Sequence, residues 1–320
     1  MKIGVFSALF KNRNFENALD HIASFGLAAV EIGTGGYPGS EHCPLDELLE
    51  NETKRQVYLE MVASRGLIIS AFSCHYEPLH PSQLLAQKSD EIFRKTVNLA
   101  QLMGVPVVNV LSGIPAGSEE DKMPNWVTCP WPPHNHEILD YQWNEVGIPY
   151  WKGAASYAAD HGINVGVEMH PGMLVYNVET LLRMRAEAGP ALCCNFDPSH
   201  LFWNNVDPIA AIRKLGEAIV HVHGKDCAID RLNTDVNGCN DHKHYGRLAD
   251  RSWSFRTIGY GHDIKTWKDI ISALRISGYD YVISIEHEDA LMSSDEGLRK
   301  GIEALNQAAI SAPVDDMYWA

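Results

Sequence analysis

Ile163-Asn164-Val165-Gly166-Val167-Glu168, Leu192-Cys193-Cys194-Asn195-Phe196-Asp197 and Ile219-Val220-His221-Val222-His223 are three short apolar runs, each closing on a carboxylate or an imidazole. Residues 178–188 and 207–216, which separate them, have the spacing of amphipathic helices. Pro208 stands in the first turn of the second helix, where a missing N–H is tolerated. Strand, helix, strand, helix, strand is the signature of parallel strands joined by helical crossovers. The same alternation runs outward to both ends of the chain. Strands are expected near 2–6, 28–32, 67–73, 106–111, 163–168, 192–196, 219–223 and 281–286. Helices are expected near 15–25, 45–65, 83–103, 141–161, 178–188, 207–216, 264–277 and 295–309. Gly26, Gly66, Gly104 and Gly162 follow the first four helices and suit the left-handed residue that ends them. Eight crossovers of one hand close most economically into a (β/α)8 TIM barrel, an α/β fold. An open doubly wound sheet would carry a glycine-rich phosphate loop after its first strand. Ser7-Ala8-Leu9-Phe10 stands there instead. The expectation is a single barrel domain over residues 1–320.

The bulk numbers fit this and exclude several functions. The chain has 320 residues, 45% hydrophobic and 21% charged, which is material for a large core. Its 26 basic and 41 acidic residues give a net charge of −15. No basic run offers a grip on a phosphate backbone, so nucleic acid is not an expected partner. The seven cysteines, Cys43, Cys74, Cys129, Cys193, Cys194, Cys227 and Cys239, contain no CxxC pair. Their odd number in a large chain predicts reduced thiols and a cytoplasmic protein. Neither a signal peptide nor an apolar stretch of about 18 residues is present, so no membrane association is expected. Two connections are too long for plain turns, 112–140 after strand four and 226–262 after strand seven. Both leave the face where barrel enzymes place their active sites, and both are read as lids or substrate walls. Met317-Tyr318-Trp319 forms an aromatic tail, frayed or docked on a partner.

Four strand ends carry the chemistry. Glu168, Asp197 and His223 close the runs quoted above, and Ile283-Ser284-Ile285-Glu286-His287-Glu288-Asp289 closes the last strand. Strands five to eight are neighbours in a barrel, so these four side chains converge. Three carboxylates and one imidazole form an oxygen-rich donor set suited to Mn²⁺, Mg²⁺ or Co²⁺, whereas structural zinc favours thiolates. His75 and Asn109 lie near strand ends that face the same mouth and are expected to touch substrate. His170 and Lys225 stand two residues beyond ligands and are placed to orient them. His221 is read as facing away from His223, either as a packing residue or as one that supports the ligands from behind.

These motifs resemble those of the xylose-isomerase-like barrel superfamily, the sugar phosphate isomerases and epimerases, over nearly the whole chain. The resemblance implies that Glu168, Asp197, His223 and Glu286 hold Mn²⁺ or a similar ion. It also implies that Glu168 and Glu286 are the catalytic acid–base pair and that His200, in Asp197-x-x-His200, contacts substrate. An enediolate formed beside a sugar carbonyl is the chemistry implied. Two positions depart from the ketose epimerases. A substrate-binding glutamate is replaced by Leu174, and an arginine by Ile229, which points to a substrate other than a simple ketose. Arg256 and Arg231 are the basic residues nearby that could replace the arginine.

The stretches 31–39, 124–132 and 253–263 are similar to a narrower branch, catalytic subunits that cleave 3-oxo-glycosides, including C-glycoside deglycosidases. That resemblance implies elimination of an aglycone, with His136 or His134 as the acid or base at the leaving group. It also implies a hetero-oligomer with a small second subunit; a homo-oligomer is the alternative. A metal-dependent endonuclease shares the barrel, and the net charge opposes that reading.

Overall fold

The computed structural model of the protein describes residues 1–312 and 319. Met317 and Tyr318 of the aromatic tail lie outside the described residues. The barrel strands are β1 (Lys2–Phe6), β2 (Ala29–Gly33), β3 (Ile68–Ser73), β4 (Val107–Leu111), β5 (Asn164–Glu168), β6 (Leu192–Phe196) and β7 (Ile219–Gly224). A two-stranded excursion, β8 (Asp226–Ile229) and β9 (Trp253–Arg256), follows, and β10 (Val282–Ile285) completes the barrel. The closed order is β1-β2-β3-β4-β5-β6-β7-β10, returning to β1. Every neighbouring pair is parallel. The expected barrel is therefore present, with each strand within a residue or two of its reading.

Local chemistry explains the elements. Strands covered on both sides read as nearly continuous apolar runs, and β2, β4 and β6 are buried at every position. Helix starts are set by side-chain caps. Asn14 accepts a hydrogen bond from the Asn17 N–H, Asp207 from Ala210, and Asp263 from Thr266. Gly104 ends the helix Gln83–Met103 at φ 69°, a left-handed conformation that side chains with a Cβ resist. The outer helices pack on the barrel through fully buried residues such as Trp151 and Trp267. Each aliphatic side chain buried in this way contributes about 1.5–3 kcal/mol.

Several expected elements are refined. The helix near 45–65 is two helices, Leu45–Glu50 and Glu52–Ala63. Asn51 stands between them in extended conformation and caps the second by accepting from the Lys54 N–H. The helix expected near 141–161 begins earlier, at His134–Asp140, and passes through a π-helical segment, Tyr141–Gly147. Pro149, which has no N–H to give to the preceding turn, stands just past that segment. The loop after β4 is pinned to this helix. The buried Gln142 amide donates to the carbonyls of Pro115 at 3.3 Å, Ala116 at 3.0 Å and Asn125 at 2.6 Å. The stretch after β7 is built around the antiparallel β8–β9 ribbon, whose Cys227, Trp253 and Phe255 pack with Trp203 in a second, aromatic core. All seven cysteines are unpaired. Among the described residues, no helix is long and apolar enough to cross a membrane.

Candidate metal centre

Parallel strands deliver their ends to one mouth, and β5, β6, β7 and β10 lie side by side. Glu168 ends β5, Asp197 follows β6, His223 stands near the end of β7, and Glu286 follows β10. Their donor atoms all lie within 4.8 Å of one another. An ion with bonds of about 2.0–2.6 Å spans ligand atoms up to about 5 Å apart, so side-chain adjustment suffices to close around one. The expected four-residue set is brought together, in a group that can hold a metal ion.

Each side chain is positioned by a local device. Asp197 caps the helix Pro198–Trp203, accepting from the Ser199 N–H at 2.8 Å through Oδ1. That bond aims Oδ2 into the site, and among the described residues this buried oxygen has no hydrogen-bond partner. Lys225 Nζ is 3.0 Å from it, in ion-pair range. A buried carboxylate oxygen needs positive charge beside it, which the Lys225 ammonium supplies here and a divalent ion could also supply. Glu168 is held by three rings: His200 Nε2 is 3.0 Å from Oε1, His75 Nε2 is 3.1 Å from Oε2, and His223 Nδ1 is 3.3 Å from Oε2. Burial alone would raise its pKa, but the bonds from His200, His223 and His75 bring it well below the usual carboxylate range. Glu286 receives Lys225 Nζ at 2.6 Å and faces His223 Nδ1 at 3.1 Å. Burial raises its pKa too, yet the charge of Lys225 and then His223 brings it down to about 2. Burial opposes charge on His223, but Glu31 and Glu286 hold its pKa well above the ordinary histidine value. Lys225 is likewise kept charged despite burial by Asp197, Glu286 and Glu288. Glu168 and Glu286 thus stand ready as anions, while His223 must lose a proton before Nδ1 can ligate a metal.

Glu31 is the residue that the sequence reading passed over. It is fully buried on β2, and both of its oxygens lie 3.1 Å from His223 Nε2. Ser73 Oγ and Asn109 Nδ2 donate to it, the latter at 3.0 Å. It fixes the far side of the imidazole, so that Nδ1 faces the ligand group. The signal was a glutamate inside Ala28-Ala29-Val30-Glu31-Ile32, a position that burial would otherwise forbid to a charge. His221 corrects the expectation that it faces away from His223. Residues two apart on a strand share a face, and His221 points into the barrel. Its Nδ1 lies 3.0 Å from Asn195 Oδ1 and 3.1 Å from Asn109 Nδ2. Gly166 makes room for this polar floor, because a Cβ there would stand 2.4 Å from Asn109 Oδ1.

The other expected site residues divide. His75, His170 and Lys225 line a cavity of about 430 Å³ with Glu168 and Glu286. His200 touches Glu168 from one side and lies against His170 in a tilted contact, 4.1 Å between ring centroids. Asn109 is a layer below, its amide committed to Glu31 and His221. Arg256 is turned to Asp289, with Nε 3.0 Å from Oδ2, and Arg231 pairs with Asp235 on the surface. Leu174 is buried in the main core, and Ile229 packs on the aromatic one. His134 and His136 are exposed on the helix that starts at 134. His134 borders a different cavity, with Glu119, Asp121 and Tyr141. The structure does not bring these two histidines to the four ligands, because their helix continues into the outer layer.

Comparisons with known proteins agree with the fold. Over 310 residues the chain is 40% identical to the uncharacterized protein YfiH of Bacillus subtilis, covering 96% of this chain and 99% of that protein. It is 24% identical over 292 residues to the inosose dehydratase of Geobacillus thermodenitrificans, covering 88% of this chain and 85% of the other. The solved structure of 3-keto-D-glucoside 4-epimerase from E. coli shares the fold, with a TM-score of 0.64 at 13% identity over 96% of this chain and 99% of that one. Residues 19–308 match the profile of the xylose isomerase-like TIM barrel family. That match covers the chain from its first helix to its last, and with it this chain belongs to the xylose isomerase-like TIM barrel family.

Proposed function

We propose that this chain is a divalent-metal-dependent enzyme that moves a proton next to the carbonyl of a sugar or keto-sugar. The observation that carries the reading is the convergence of Glu168, Asp197, His223 and Glu286, which offer ligand atoms within 4.8 Å of one another at the barrel mouth. The donor set favours Mn²⁺, with Mg²⁺ or Co²⁺ as alternatives. Such an ion, when bound, polarises a carbonyl and an adjacent hydroxyl and so stabilises an enediolate by several kcal/mol. The chain's own residues do the rest. Glu168 is ionised and fixed in place by His75 and His200, which suits it to take the proton from the carbon beside the carbonyl. Glu286, on its own side of the pocket and paired with Lys225, returns a proton after first taking one up from solvent, while the proton gained by Glu168 leaves to solvent, so that the exchange balances. His75 and His170 on the pocket wall are placed to bind substrate hydroxyls.

A second reading, elimination from a 3-oxo-glycoside, uses the same first step and then expels a group from the neighbouring carbon. It is favoured by Leu174 and Ile229, which are spent on packing where a ketose epimerase would hold its substrate. One relative is named a dehydratase, and one structural neighbour is named for a 3-keto-glucoside. Incubation with free ketoses and with 3-oxo-glucosides, followed by mass measurement of the products, separates the two. Isomerisation leaves the mass unchanged, and elimination splits it. Mn²⁺ titration of the purified protein tests both at their root, since a chain that takes up no divalent ion has neither activity.

A further inference from the structure

At His170 the metal-side cavity adjoins two others, of about 310 and 440 Å³. His170 lines all three, Glu288 is shared by the first two, and Tyr245 and Phe255 by the last two. Their faces are aromatic. Trp203 and Trp253 stack at 4.4 Å, and Tyr245 stacks on Phe255 at 5.9 Å. The largest of these annexes also carries unmet polar groups. Trp126, Trp203 and His200 all line it, and Trp126 Nε1, Trp203 Nε1 and His200 Nδ1 are buried with no hydrogen-bond partner among the described residues. Trp203 is 8% exposed and His200 is 1% exposed. His200 presents Nε2 to Glu168, and Nδ1 is the ring nitrogen left without a partner among the described residues. Orphaned indole N–H groups need acceptors, and a hydroxyl can answer both an N–H and an imidazole nitrogen. Flat aromatic walls with such groups fit a ring that is apolar on its faces and hydroxylated at its edge.

From this we infer that the annex is a second subsite for a hydroxylated six-membered ring joined to the sugar that sits at Glu168. The substrate class is then a two-ring glycoside rather than a monosaccharide. This rests on the reading of the Glu168 pocket as a sugar site, but the annex has its own readout. Trp126 and Tyr245 supply specificity through the second ring and take no part in proton transfer.

The test is calorimetric binding to the full chain, with Mn²⁺ and with chelator, of methyl β-glucoside, 4-hydroxyphenyl β-glucoside and cellobiose. One hydrogen bond plus stacking predicts that at least one two-ring probe binds about tenfold tighter than the methyl glucoside. Which of the two does so distinguishes a phenolic from a sugar second ring. Trp126→Phe, which keeps the ring and removes the N–H, and Tyr245→Ala, at a half-exposed position, should each shrink that ratio and leave methyl glucoside binding unchanged. Equal binding of one-ring and two-ring probes overturns the inference, as does failure of both two-ring probes to bind. An advantage that survives both variants overturns it as well. If the ratio holds but Mn²⁺ is not taken up, the metal-dependent reading falls and the annex stands.

Discussion

Two buried aspartates that follow neighbouring stretches of the barrel, Asp197 after β6 and Asp226 after β7, have opposite surroundings. Asp226 Oδ2 accepts from the N–H groups of Gly259 at 3.0 Å, Gly261 at 3.1 Å and His262 at 2.9 Å, and from Trp267 Nε1 at 3.2 Å. Its Oδ1 takes Cys227 N–H at 2.8 Å and faces His262 Nδ1 at 2.9 Å. That carboxylate is saturated, and it ties the end of the long β7 connection to the last helices. Asp197 gives one oxygen to a helix cap and keeps the other free of hydrogen bonds. A carboxylate saturated with hydrogen bonds holds structure, and one that faces three other ligand atoms and the Lys225 ammonium can hold an ion. Residue type and burial are the same in both; the difference lies in which donors the fold supplies.

The largest expected effect bears on the metal side. Glu168→Gln should reduce turnover by at least about 10²–10⁴-fold while the circular dichroism spectrum stays native; a fully active variant would remove the proposed proton transfer. Next, the same Asp→Asn change should give opposite profiles at the two aspartates. Asp226→Asn turns an NH₂ group toward N–H donors and should cost about 3 kcal/mol in urea unfolding, with Mn²⁺ binding by the folded fraction retained. Asp197→Asn should weaken Mn²⁺ at least about tenfold and cost less metal-free stability than Asp226→Asn, because Glu286 and Glu288 still pair with Lys225. Equal profiles would erase the distinction.

Acid sharpens it further. Glu286 is depressed to about 2 in the folded protein, so its stabilisation is present above its unfolded pKa of about 4.3 and is lost as pH falls toward the folded value. Urea midpoints of metal-free protein should drop across that window, and Glu286→Gln should flatten the drop. His223, raised in the folded state, acts with the opposite sign. Its contribution is full below about pH 6.5 and is lost as pH rises through the higher folded value. The smallest effect is expected for His136→Ala on the exposed outer helix, within about 0.5 kcal/mol in stability and without change in Mn²⁺ affinity. A large loss of turnover in that variant would bring the β4 loop into the site.

Much of this was legible because barrels convert strand order into proximity. Apolar runs ending in Glu168, Asp197, His223 and Glu286 could be read one at a time, and the rule that successive parallel strands are neighbours joined them. Glu31 could not be read the same way, since it lies far from that set in sequence and meets His223 only when β2 and β7 face each other across the lumen. The aromatic annex has the same character. Trp126, Trp203 and Tyr245 come from three connections whose paths no local periodicity describes. The split at Asn51 and the early start of the helix at 134 turned on capping and π-helical geometry, which compete closely with a continuous helix in sequence.

What the sequence by itself determined was the alternation of strands and helices, and with it the closed barrel and the four candidate ligands at its mouth. Those follow from short-range patterning and a single handedness rule. Only the tertiary structure decided which polar side chains are satisfied and which are left facing a cavity. Asp226 and Asp197 are the same residue in similar local settings, and their roles part because hydrogen-bond donors arrive from distant segments whose meeting depends on packing.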